Sequence, residues 1–100
     1  MDWEIVWTAH AAGQFEDAMR TAVGYSQTAA DELQAAVLAS VGMLAKFPEI
    51  GPAYGRDRSG QTREILCKPY RVFYRLDEIG RRVVIVTVWH SSRREPRLPK

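Results

Sequence analysis

Cysteine is almost missing from this chain. Cys67 is the single one among 100 residues, so no internal disulfide can form and a packed core must supply the stability. Cys67 ends an apolar run, which predicts a buried structural thiol. One cysteine with two histidines is a poor metal set, and no zinc-type spacing occurs, so neither a metal nor another cofactor is expected. No apolar run reaches the ~18 residues of a membrane span. The opening MDWEIVW is acidic and lacks the basic start of a secretory signal. A soluble cytoplasmic protein without a membrane partner is therefore expected. GPAYGRDRSG (51–60) lacks the Lys-Ser/Thr ending of a phosphate-cradling loop. No serine–histidine–acid spacing suggests a nucleophilic triad. Repeats, low-complexity tracts and linkers are also missing, so 1–100 reads as one domain, with about 91–100 an irregular basic tail.

What is present is unevenly charged. Residues 1–50 hold two basic residues against seven acids, a net of −5, while 51–100 hold twelve against five, a net of +7. The formal total of +2 conceals this. A basic half interleaved with strand positions suggests a partner carrying phosphates or carboxylates.

The pattern of apolar residues divides the chain. WEIVW (3–7) alternates like a short strand. Thr8 can cap a helix over Ala9 to Val23, with Ala12, Phe15, Met19 and Ala22/Val23 as one stripe and Gly24 as its end. Ser26 or Thr28 can cap a second helix, in which Ala30, Leu33, Val37, Val41 and Leu44 carry a stripe to about Lys46 before Pro48 stops it. The short separation predicts an antiparallel hairpin of helices. FPEIGPAYGRDRSGQ (47–61) is a loop by its Pro and Gly content. TREILC (62–67), YRVFYRLD (70–77) and RRVVIVTVWH (81–90) read as strands, the last one apolar on both faces and hence interior. The fold class is α+β: a two-layer β-α-α-β-β-β arrangement, with a mostly antiparallel four-stranded sheet covered on one face by the helical hairpin.

Alternation puts Val72, Tyr74 and Leu76 on one face of their strand and Arg71, Phe73 and Arg75 on the other. Arginines are seldom buried unpaired, so the second face is expected to be open. Arg63 and Lys68 flank the neighbouring strand, and His90, Arg93 and Arg94 end the last one. An antiparallel neighbour brings Arg71 towards His90, which predicts a basic cluster on one face or edge. Arginines there can grip phosphates, and a histidine is suited to move a proton near neutrality. The bland alternatives are a solvated face and a histidine that merely ends a strand.

Four motifs follow one another in a familiar order. Leu44-Ala-Lys-Phe47-Pro48-Glu-Ile-Gly51 closes the helices. Arg63-Glu64-Ile65-Leu66 follows, then Tyr70-Arg71-Val72-Phe73-Tyr74-Arg75, then an apolar strand ending His90-Ser91-Ser92-Arg93. From about Trp3 to Pro96 the chain resembles the RelE/ParE family, the toxins of bacterial type II toxin–antitoxin systems, of plasmid stabilisation type. The resemblance implies a growth inhibitor silenced by a cognate antitoxin. It leaves the target divided. ParE-like members poison DNA gyrase. RelE-like members cut mRNA on the ribosome without metal, which would make His90, Arg71 and Arg63 catalytic. Lys68, Arg75, Arg93 and Arg94 would contact the target on either branch. The second basic residue of the RNA-cutting branch is replaced here by Ile65, and no aromatic residue follows Trp89. Both departures favour the gyrase branch. A non-toxic binding module is the third reading.

Overall fold

The computed structural model describes residues 2–96 and 98. Its elements are β1 (Glu4–Trp7), α1 (Ala9–Tyr25), α2 (Gln27–Lys46), β2 (Thr62–Cys67), β3 (Tyr70–Asp77) and β4 (Arg82–His90), the expected order. The sheet runs β1-β4-β3-β2. β2, β3 and β4 form an antiparallel meander, and β1 lies parallel to β4 on its other side. β4 is thus interior, as its two apolar faces require.

Local chemistry fixes the helix ends. Thr8 Oγ1 accepts from the Ala11 N–H and starts α1. The helices are separated by Ser26 alone, which serves both. Its N–H donates to the Ala22 carbonyl and closes α1, while its Oγ accepts from the Ala29 N–H and opens α2. α1 runs one residue past Gly24 for this reason. The Phe47 N–H closes α2 on the Met43 carbonyl, immediately before Pro48.

The hairpin of helices covers one face of the sheet, here called the helix side. Ala11, Val37, Val41 and Leu44 meet Cys67, Val72, Tyr74, Val83 and Ile85 there, with Ile5, Trp7 and Phe15 packed around them. Each fully buried Val or Leu contributes roughly 1.5–3 kcal/mol. Ala11 and Ala30 are wholly buried, small enough for the helices to approach closely.

The other face is not open. Tyr54, Phe73 and Val86 form a second apolar cluster there, joined by Val84, Trp89 and Leu98. The loop after α2 supplies Tyr54, and the tail folds back to supply Leu98, with Pro96 buried nearby. The same loop guards the outer edge of β2. The Tyr54 N–H donates to the Thr62 carbonyl and the Glu64 N–H to the Pro52 carbonyl. An edge strand would otherwise present these groups unpaired.

Candidate functional site

Arg71 is the hub of this second face. Its guanidinium lies 4.9 Å from the Phe73 ring centre and 5.6 Å from that of Tyr54, and its side chain keeps 16% exposure. One nitrogen donates to Glu64 Oε2 at 3.0 Å, the other to Glu95 Oε1 at 2.9 Å. Burial works against the charge, but the bonds to Glu95 and Glu64 outweigh it and hold the Arg71 pKa above the ordinary guanidinium value. The second oxygen of Glu95 accepts from the Tyr54 hydroxyl at 2.5 Å and lies 3.8 Å from Arg56 Nε. The Tyr54 and Arg71 hydrogen bonds keep the Glu95 carboxyl below the usual glutamate range. Burial, then the Glu95 contact, pushes the Tyr54 hydroxyl up. Beside the clasp lies a cavity of about 550 Å³ between Arg56, Asp57, Arg75 and Pro96.

Arg63, Arg71 and His90, expected together on one face or edge, do not share a face, though Arg71 and His90 lie at the same end of the sheet. The β3–β4 register pairs Arg71 with Trp89 and Tyr70 with His90, so Arg71 and His90 point to opposite faces. A bulge causes this. Phe73 faces Thr87 and Tyr74 faces Ile85, leaving Val86 as an extra residue in β4. Strict alternation outward from Ile85 would have put His90 with Arg71; the extra residue reverses the parity. The expectation of an open second face also fails, because Tyr54, Pro96 and Leu98 cover it.

The remaining basic residues lie outside this clasp. Arg63 points to the helix side and donates to the carbonyls of Gly51 (2.8 Å) and Glu49 (3.2 Å), tying the loop to β2. Arg75 Nε donates to Thr62 Oγ1 at 3.1 Å on the second face. Lys68 is exposed in the β2–β3 turn. The Arg93 guanidinium lies 5.5 Å from the Trp89 ring centre. Arg94 is exposed, and its carbonyl accepts from Trp89 Nε1 at 2.7 Å. His90 packs edge-on against Tyr70 with centroids 5.2 Å apart. Its Nδ1 accepts from the Ser92 N–H at 3.1 Å and lies 2.7 Å from Ser92 Oγ. A notch of about 330 Å³ opens there, lined by Gln14, Asp17, Thr21, Tyr70, His90 and Arg93. Among the described residues no three of His, Cys, Asp and Glu sit close enough to share a metal, and no helix is long and apolar enough to cross a membrane.

The sequence matches the family described as "ParE toxin of type II toxin-antitoxin system, parDE" over residues 5–95. The chain belongs to the ParE toxin family. Solved structures agree on the fold. The ParDE system of P. aeruginosa superposes with a TM-score of 0.73 at 15% identity, covering 88% of this chain and 95% of that one. The RelBE2 toxin–antitoxin complex of Mycobacterium tuberculosis gives 0.67 at 23% identity, covering 90% and 99%. Among curated proteins none matches. For this ParE toxin, the residues that sequence reasoning passed over are Tyr54, Glu64 and Glu95. The one available signal was Glu95 itself, a lone acid in a basic tail.

Proposed function

We propose that this ParE-family toxin acts in the cytoplasm by binding DNA gyrase and arresting it, and that a cognate antitoxin silences it. One observation carries the choice of a binding mechanism. The set that RNA cutting would need, a histidine base with arginines on the phosphate, is not assembled: Arg71 faces away from His90, and Arg63 is engaged with loop carbonyls. Arg71 is also neutralised by two carboxylates, so its charge is already satisfied within the chain. Lys68, Arg93 and Arg94, exposed at one end of the sheet, are the contacts we assign to the target. The antitoxin reading rests on the family and on the +7 half, which suits an acidic segment.

The test is a supercoiling assay with purified toxin, gyrase, plasmid and ATP. Loss of supercoiling with trapped, cleaved DNA is expected at modest excess over gyrase. Normal supercoiling with folded toxin would remove the gyrase reading. A second reading has one observation in its favour: the helix-side notch brings His90, Tyr70 and Arg93 together, a base with an aromatic and a cation beside it. Ribosome-dependent cleavage of mRNA that vanishes with His90→Ala would establish it.

A further inference from the structure

Three cations stand at one end of the sheet without a carboxylate partner. Lys68, Arg93 and Arg94 are exposed, and none makes an ion pair among the described residues. The backbone gathers them. The Ser91 N–H donates to the Pro69 carbonyl at 2.8 Å and ties the end of β4 to the turn that carries Lys68, while the Arg93 N–H donates to the His90 carbonyl at 3.1 Å. From there the tail runs on as a strap over the second face, its start held by the Trp89 indole on the Arg94 carbonyl and its Glu95 carboxylate turned to Arg71. The helix-side notch of about 330 Å³ opens beside these cations. Its polar wall consists mainly of donors. The Ser92 N–H can only donate, so His90 Nδ1 accepts from it and Nε2 carries the ring proton. Gln14 gives its oxygen to the Val88 N–H at 2.8 Å, which leaves its amide nitrogen as a donor. Tyr70 and Arg93 add a hydroxyl and a guanidinium. The one carboxylate on the wall, that of Asp17, is already paired with Arg20.

We infer that this end of the sheet is a site for the phosphate backbone of double-stranded DNA, with one phosphate seated in the notch and its neighbours met by Lys68 and Arg94. The inference deepens the gyrase reading and rests on it for the choice of a duplex: the toxin grips the DNA that gyrase holds as well as the enzyme. A phosphodiester only accepts hydrogen bonds, so a wall of donors with a guanidinium beside it suits one. The neutral donors orient the phosphate and the cations supply the affinity, so the loss of His90 alone stays a small effect. A single strand fits this end less well, because its bases need open aromatic faces on which to stack. The Arg93 guanidinium lies over the Trp89 ring at 5.5 Å, and the Tyr70 ring is packed against His90.

The experiment titrates the purified full chain into a fluorescent duplex of about 20 base pairs, followed by anisotropy between about 50 and 200 mM salt. Three phosphate contacts give the logarithm of the binding constant a slope of about −2.7 against that of salt. Arg93→Gln with Arg94→Gln should bring the slope to about −0.9 and weaken binding at least tenfold at the lower salt. Lys68→Gln alone should remove about 0.9 of the slope, which keeps the test decisive should the double variant not fold. Folding is checked by circular dichroism and thermal melting. Lys46→Gln with Arg58→Gln, which removes two exposed cations elsewhere, should leave the slope unchanged. A folded wild type that does not bind the duplex at the lower salt overturns the inference, because the three cations would then face carboxylates of a protein target. Equal losses in the two pairs of substitutions also overturn it, since the attraction would then be diffuse. So does a single-stranded RNA of the same length that binds more tightly than the duplex. No gyrase enters this titration. Its failure leaves the gyrase reading standing, and a failed supercoiling assay leaves the phosphate site standing.

Discussion

Arg71 and His90 stand on adjacent rungs of the β3–β4 ladder and on opposite faces of the sheet. If the protein works by binding gyrase, His90 has no proton to move. His90→Ala should then leave growth arrest and gyrase inhibition within about threefold of wild type. The stability loss should be small, ~0.5–1.5 kcal/mol, from the lost edge-on contact with Tyr70. An inducible growth assay beside a urea melt measures both. A folded variant with no toxicity would mean that His90 does chemistry.

Arg71 is predicted to matter more for the fold than for the target. Arg71→Met takes one partner from each of two part-exposed carboxylates and removes the guanidinium from the Phe73 and Tyr54 rings, and a loss of ~0.5–2 kcal/mol is expected. Lysine should not rescue it, because one ammonium cannot reproduce a planar fork reaching both Glu64 and Glu95. A double-mutant cycle with Glu95→Gln should show a coupling of ~0.5–3 kcal/mol. Strict additivity in urea unfolding would mean that the clasp does not hold in solution.

The sequence carried most of this architecture because its signals are local. Thr8 and Ser26 announce helix starts, the Ala30-to-Leu44 stripe announces the buried side of α2, and the alternation in YRVFYRLD gives both faces of β3. The candidate site was legible only residue by residue. Its assembly depends on one extra residue at Val86, and RVVIVTVWH is so uniformly β-branched that no position in it marks a bulge. The strap depends on long-range contacts: Tyr54 with Glu95 spans 41 residues and Arg71 with Glu95 spans 24. No periodicity encodes such a pairing. Arg71 implied an open surface because its acidic partners, Glu64 and Glu95, come from other elements.

The F-P-x-x-G stretch predicts its own sensitivity. The Tyr74 hydroxyl is buried under the loop, donating to the Pro48 carbonyl at 2.8 Å and accepting from the Gly51 N–H at 2.9 Å. Tyr74→Phe should cost ~1–3 kcal/mol by leaving both groups without a partner. A β-carbon at Gly51 would fall 2.6 Å from the Glu64 carbonyl oxygen and 2.7 Å from that hydroxyl. Gly51→Ala should therefore cost ~1–3 kcal/mol or more, since neither the β2 backbone nor a fully buried ring can retreat. At ~4–8 °C of Tm per kcal/mol for a chain of this size, calorimetry resolves both. An unchanged Tm for Gly51→Ala would show that the loop does not lie against β2 as described.

Acid should release the strap before it unfolds the core. The Glu95 carboxyl is held below the usual glutamate range by its bonds from Tyr54 and Arg71. A carboxyl with a depressed folded pKa stabilises fully above its unfolded value, near ~4.3 for glutamate, and that stabilisation is lost as pH falls through the folded value. Asp57 adds to the same slope. Hydrogen bonds from Ser59, then from Thr62, bring it from 3.8 to about 2, so its share disappears between those values. Tyr54 acts at the other end, where its raised pKa makes ionisation above about pH 10 oppose folding. Wild type should thus lose Tm steadily as pH drops from 5 to 2. Glu95→Gln and Asp57→Asn should each lower Tm at pH 6 and flatten the acid slope. Trp89, bonded to the Arg94 carbonyl, should report the strap by a change in emission that precedes the loss of helical signal. Identical acid slopes in wild type and Glu95→Gln would mean that Glu95 is solvated rather than clasped, and the strap would lose its electrostatic anchor.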